Sequence, residues 1–249
     1  MCTISNQSRW LVYLSDSKLE AHEQWVESGY TDSGRLILQE RNLLGANIPG
    51  ANLIKAQFIK CNLNSINVRG GDLTSIELVE CNLENARLEL STLDKATIKD
   101  CKFIGAYLNA TNLTDAFIQS GDWSNTDLHR SDWTDAVIEN VCLKIARFQG
   151  ARLHRATITN CNFQTANLVA ATAHDTVFNH CDFRNANLEE FTIKNTRFYK
   201  CGFYNCKGIP KIEGKCEFIE PDVSEEFDGS KIVNQDKILT LWNKASLSI

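Results

Sequence analysis

Proline is scarce here, with three residues in 249, and no apolar run approaches the roughly 20 residues a bilayer-spanning helix needs, so a membrane partner is not expected. Charge of one sign is lacking too: the formal net charge is −5, too modest for a general binder of nucleic acid or anionic membrane. The opening stretch, Met1 to Arg9, shows no basic region followed by an apolar one, so no secretory signal is expected. A glycine-rich phosphate loop, a nucleophile elbow and a recognisable acid–base pair are all missing. No catalytic residue, cofactor or metal is therefore assigned, and the chain reads as a non-enzyme. Cysteine is the exception to this scarcity. Ten cysteines without a secretory context point to reduced thiols and a cytoplasmic setting.

What is present is a period. From about residue 41 a small residue and, two positions on, a large apolar one recur every five residues, as in Ala46-Asn47-Ile48, Ala51-Asn52-Leu53 and Cys61-Asn62-Leu63, through Ala186-Asn187-Leu188 to Cys201-Gly202-Phe203. Five matches neither the helical period of about 3.6 nor the strand period of 2. A chain turning a corner every five residues can point two of the five inward, and four corners close a square coil of 20. Residues 20 apart should then stack. Cys61, Cys81, Cys101, Cys161, Cys181 and Cys201 do share one 20-residue ladder, with Gly121 and Val141 in its gaps. A second column runs from Phe58 through Ile118 and Ile158 to Phe198, and a third from Leu63 through Trp123 to Phe203.

This pattern resembles the pentapeptide-repeat family, with its Ala-(Asp/Asn)-Leu-x-x consensus, best in Ala46 to Leu63 and Ala151 to Leu188. The resemblance implies an all-β solenoid, a right-handed quadrilateral β-helix of about eight coils and roughly 40 Å at the strand spacing. Ile66, Ile76, Val141 and Phe191 depart from the consensus at the small position. Phe191 and Ile193 should fill space above Ala171 and Ala173, and Gly121 should make room for Trp123. Residues 1–36 read as an N-terminal cap, an arm from Arg9 to Leu14 and then a helix with His22 and Trp25, similar to a leader found before such repeats. The repeat is expected over 37–208. Residues 209–249 then read as an acidic segment and a helix whose Ile238, Leu241 and Trp242 would cap the last coil or form a homodimer contact.

Other clusters invite bland readings. The cysteine ladder is expected to pack, since parallel thiols do not converge on a tetrahedral metal. Cys206 and Cys216, beside the tail, could be reactive. His154 and His174 should stack on an outer face. Functionally, a rigid rod suits an interaction scaffold that binds a protein partner, as monomer or dimer. The resemblance also implies an alternative: protection of a type II topoisomerase, DNA gyrase, by mimicry of DNA, which needs a broadly negative rod. Yet residues 41–207 hold 18 basic and 17 acidic side chains. A local acidic coil remains as the candidate partner-binding set, Asp115, Asp122, Asp127, Asp132, Asp135 and Glu139, followed by basic Lys144, Arg147, Arg152 and Arg155.

Overall fold

The computed structural model describes residues 14–31 and 33–245. Its elements are α1 (Asp16–Glu27), β1 (Ile37–Gln39), β2 (Gln57–Ile59), β3 (Glu77–Val79), β4 (Thr97–Lys102), β5 (Phe117–Asp122), β6 (Val137–Glu139), β7 (Thr157–Thr159), β8 (Thr172–His174), β9 (Val177–Asn179), β10 (Thr192–Lys194), β11 (Arg197–Tyr199), β12 (Lys211–Glu213), β13 (Glu217–Ile219) and α2 (Gln235–Ala245). Ten strands form one parallel sheet along one side of the rod, in the order β1-β2-β3-β4-β5-β6-β7-β9-β11-β13. On another side β8, β10 and β12 form a second parallel sheet. The remaining sides are held by isolated parallel bridges 20 residues apart, such as Asn62↔Asn82 and Asn67↔Arg87.

Each corner follows from local chemistry. In Leu53-Ile54-Lys55-Ala56 the Ala56 N–H donates to the Leu53 carbonyl at 3.0 Å, and Lys55 is left-handed at φ 55°. The consensus Asn or Asp ahead of the central residue accepts the N–H two residues on: Asn82 from Glu84 at 3.0 Å, Asp122 from Ser124 at 2.9 Å, Asn162 from Gln164 at 3.0 Å. That is the Asx turn, which explains why short acceptors recur there.

The core is a stack of columns. Leu, Ile and Phe fill the central positions, and Phe163, Phe183 and Phe203 stack at centroid distances of 4.9 and 5.6 Å. Small polar residues at the inward corner are buried yet satisfied, most by reaching the turn before, and Ser131 by donating to Leu128 of its own turn at 2.6 Å. Ser91 donates to the Val68 carbonyl at 2.9 Å, Thr196 to Ala173 at 2.6 Å, and the Cys181 thiol to Ile158 at 3.4 Å. Phe191 and Ile193 are buried, with Ile193 in register over Ala173. Trp123 is also fully buried, but it stacks on Phe103 at 4.0 Å. Gly121 has a different reason: its φ is +109°, and a Cβ there would land on the Cys101 carbonyl oxygen.

The rod has about nine turns, one more than the sequence suggests, and the stack continues past residue 208. Asn187 bridges Lys207, 20 residues on, but Thr192 pairs with Lys211, only 19 on, and Arg197 with Glu217, again 20. One side is a residue short at Gly208-Ile209-Pro210, and the next regains it around Gly214. The five-residue phase breaks there while the coil does not, and bridging extends to Gly202↔Asp222.

Both ends are covered in part. At the start His22 is buried, accepts the Leu36 N–H at Nδ1 (2.9 Å) and stacks on Trp25 at 5.5 Å. A Cβ on Gly34 would strike the Ala21 carbonyl oxygen and the Trp25 Cβ, so α1 packs tightly against the chain entering the first turn. The expected arm from Arg9 lies outside the described residues, except for Leu14, which is buried. At the far end the acidic segment folds back, with Val223 N–H donating to the Lys231 carbonyl at 3.0 Å. Arg184 clamps it: the guanidinium pairs with Asp182 at 2.8 Å and donates to the Glu225 carbonyl. Ile238 of α2 is buried in the core's end.

Candidate interaction surfaces

The six acidic candidates do not form one patch. Asp122, Asp127 and Asp132 precede the central residues of three successive sides, so they point in three directions around the coil. Each is occupied: its Oδ1 accepts the N–H of Ser124, His129 or Thr134. Asp115 and Asp135 share a corner column, and Glu139 lies on the ten-stranded sheet, accepting from Gln119 Nε2 at 3.3 Å.

Three of the six pair with cations of this same chain. Three residues of the basic run that follows sit one turn along and pair with them: Arg147–Asp127 at 3.3 Å, Arg152–Asp132 at 3.7 Å and Arg155–Asp135 at 2.6 Å. The Arg155 guanidinium holds the Asp135 carboxyl below its usual range. At Asp127, Asp132 and Asp135, what reads along the sequence as an acidic coil followed by a basic one is an internal ladder of opposite charges. The same rule links Lys60–Glu80, Arg197–Glu217 and Lys200–Glu220.

Among the end candidates, Ile238 is buried against the last turn, and Leu241 stays 37% exposed beside a cleft lined by Phe203, Cys206, Val223 and Ile238. The Trp242 side chain lies outside the described residues. Cys206 is buried and donates to the Phe183 carbonyl at 3.0 Å, and burial drives its thiol pKa up. Cys216 is buried as well, so neither matches a reactive, exposed thiolate.

The two histidines stack as the 20-residue column requires, at 4.2 Å and 14°. His154 shares a hydrogen bond with the Thr172 hydroxyl at 2.7 Å, while His174 Nε2 is buried without a partner. Burial first, and then its neighbour His174, lower the His154 pKa. Near-parallel stacked rings cannot aim both lone pairs at one ion, so the pair is not a two-histidine metal site. Among the described residues no group of three or more His, Cys, Asp or Glu could hold a metal, and no helix is long and apolar enough to cross a membrane.

Sorting the outward residues by 20, as the inward ones were sorted, reveals a surface the sequence reading missed. On the ten-stranded sheet, the outward positions within 117–120, 137–140, 157–160 and 177–180 carry a single formal charge, Glu139. Phe117, Val137, Thr157, Thr159 and Val177 stand between polar neighbours along this flat strip. Over the same turns the side bearing β8 and β10 carries six charges, Asp132, Asp135, Arg152, Arg155, Asp175 and Lys194.

Square turns of 20 residues, left-handed corners and Asx acceptors define a parallel β-solenoid built from pentapeptides. Residues 80–151 match the pentapeptide repeat region, and residues 42–74 and 146–185 match pentapeptide repeats (8 copies). Together they cover more than half of the chain, which belongs to the pentapeptide-repeat family. Among curated proteins no sequence match is found. Similar solved structures include the following three. HetL, a pentapeptide repeat protein involved in heterocyst differentiation regulation from the cyanobacterium Nostoc sp. strain PCC 7120, is 18% identical over 84% of this chain and 97% of its own, with a TM-score of 0.31. QnrB1, a plasmid-mediated fluoroquinolone resistance protein, is 13% identical over 86% and 96%, with a TM-score of 0.38. A thylakoid-lumen pentapeptide repeat protein of Arabidopsis thaliana is 23% identical over 49% and 68%, with a TM-score of 0.26. At these values nothing those proteins do passes to this chain.

Proposed function

We propose that the chain is a non-enzymatic scaffold that binds a protein partner through the flat outer strip of the ten-stranded sheet. The observation that carries this is the strip's chemistry: one formal charge, Glu139, across four turns that are ion-paired elsewhere. Charge-poor surface with aromatic and β-branched residues is the composition of an interface core, where desolvating ions would cost binding. A preformed rod also loses little conformational freedom on docking. A reducing compartment fits it, since nine described cysteines are free thiols.

The topoisomerase reading draws no support from the charges. It needs acidic side chains presented outward, whereas Asp127, Asp132 and Asp135 are matched by arginines one turn on. A photoreactive amino acid placed in turn at 117, 137 and 177, and at 127, 152 and 172 on other sides, tests the proposal. Crosslinks to one partner from the sheet positions alone support it. Crosslinks confined to the other sides overturn it. A gyrase supercoiling assay, run alongside, should show neither inhibition nor rescue from a quinolone at stoichiometric amounts.

A further inference from the structure

A turn of this rod is complete only when the next turn bonds to it, so the last turn must be closed by something else. Over the ten-stranded sheet it is closed. Phe218 N–H donates to Gln235 Oε1 at 3.2 Å, Val233 N–H to the Pro221 carbonyl at 3.0 Å, and Ile238 covers the core. Among the described residues β12 has no such cover. It ends the three-stranded sheet, and among the described residues its only strand partner is β10. Ile212 continues the inward column of Leu153, Ala173 and Ile193, all buried, yet it is itself 39% exposed.

The shape of this end selects its occupant. α2 lies across the neighbouring part of the last turn, and a helix is about 10 Å thick, whereas strand pairing needs an approach of about 4.8 Å. The blunt end of a second rod meets α2 before it reaches β12. A single extended peptide does not.

The ladder gives that peptide its chemistry. Where charges pair from turn to turn they are opposite, as in Lys60–Glu80, Asp127–Arg147 and Arg197–Glu217. Lys211 and Glu213 already pair with each other at 3.0 Å, so a strand that extends the ladder over Lys211-Ile212-Glu213 by exchanging that contact is acidic, apolar and basic. Its backbone partners are set as well. On this side Thr192 N–H donates to the Ala171 carbonyl at 2.9 Å, and Leu153 N–H to the Thr172 carbonyl at 2.8 Å. By that pattern the acidic residue's N–H would meet the Pro210 carbonyl and its carbonyl would accept from Ile212 N–H. We infer that the β12 edge is a docking site for an extended peptide with an acidic–apolar–basic triplet, added as a parallel strand. This surface is separate from the sheet strip proposed above.

The test uses the full chain and two heptapeptides, Gly-Ser-Glu-Ile-Lys-Ser-Gly and its charge-reversed form Gly-Ser-Lys-Ile-Glu-Ser-Gly, with amide exchange and chemical shifts read by NMR at up to millimolar peptide. The first should bind about fivefold more tightly, the scale of two exposed ion pairs, and slow exchange at the Ile212 amide. The double variant Lys211→Glu, Glu213→Lys should invert the preference, and Ile212→Arg should abolish binding of both. Equal binding, a preference that survives the charge swap, or an Ile212 amide already protected in a peptide-free dimer would each overturn the inference. Because these variants lie off the strip, their failure leaves the crosslinking result unaffected.

Discussion

Ile145 is an expensive choice at its position. It is β-branched, left-handed at φ 62° and 56% exposed, where most corners use Asn, Asp, Ser, Lys or Gly. The left-handed region costs an ordinary L-residue about 1–2 kcal/mol, and asparagine less. Ile145→Asn should therefore stabilise the rod by about 1 kcal/mol, raising Tm by roughly 2–4 °C; an unchanged or lower Tm would contradict the corner account. Histidine gives a second prediction at this scale. His22 is held below its ordinary pKa of 6.5 chiefly by burial, and His154 by burial and then His174. Both fold neutral, so below about pH 6.5 the unfolded chain binds more protons than the folded one. Stability contributed above that pH is then lost as pH falls towards the depressed folded values. Melting curves from pH 8 to pH 5 should show Tm constant at first and then falling. His154→Asn should flatten part of the fall, and an acid-insensitive wild type would refute this.

At the scale of the element, β5 sets the tightest requirement. A Cβ on Gly121 meets the Cys101 carbonyl, and the backbone lies at φ +109°. Gly121→Ala should cost several kcal/mol, more than the 1–3 kcal/mol of backbone strain alone. Gly50→Ala, left-handed but with nothing within 4 Å, should cost only about 1–2 kcal/mol. Equal costs in urea unfolding would argue against the close approach of the two turns. The five-residue period made the corners and inward columns legible before any coordinates, because burial repeats along it. The true end of the coil was not legible, since Gly208 to Pro210 omits one residue and hides the phase while Thr192 still pairs with Lys211. The aspartates were legible as acids but not as caps. Asp122 and Asp132 look alike whether they face a partner or accept the N–H of Ser124 or Thr134.

For the whole molecule, α2 closes part of one end, and the strip on the ten-stranded sheet is the recognition surface proposed above. A chain ending at Asn234 lacks α2, so the apolar core beneath Ile238 is laid open. Sedimentation should then show association beyond that of the full chain; a truncated chain that stays as dispersed as the full one would mean that α2 is no cap. The strip on the ten-stranded sheet was written in the sequence at 117, 137, 157 and 177, but only as unremarkable outward residues. Its neutrality emerges when those positions are aligned by turn and compared with the paired charges on the other sides. The most direct measurement compares partner capture by the wild type, by the double variant Val137→Arg, Val177→Arg, and by Asp127→Asn, Asp132→Asn, each first shown to melt as a folded rod. Loss of capture by the arginine variant alone is the predicted result. Capture that survives the arginines and fails with the asparagines would return function to the acidic coil and contradict the account.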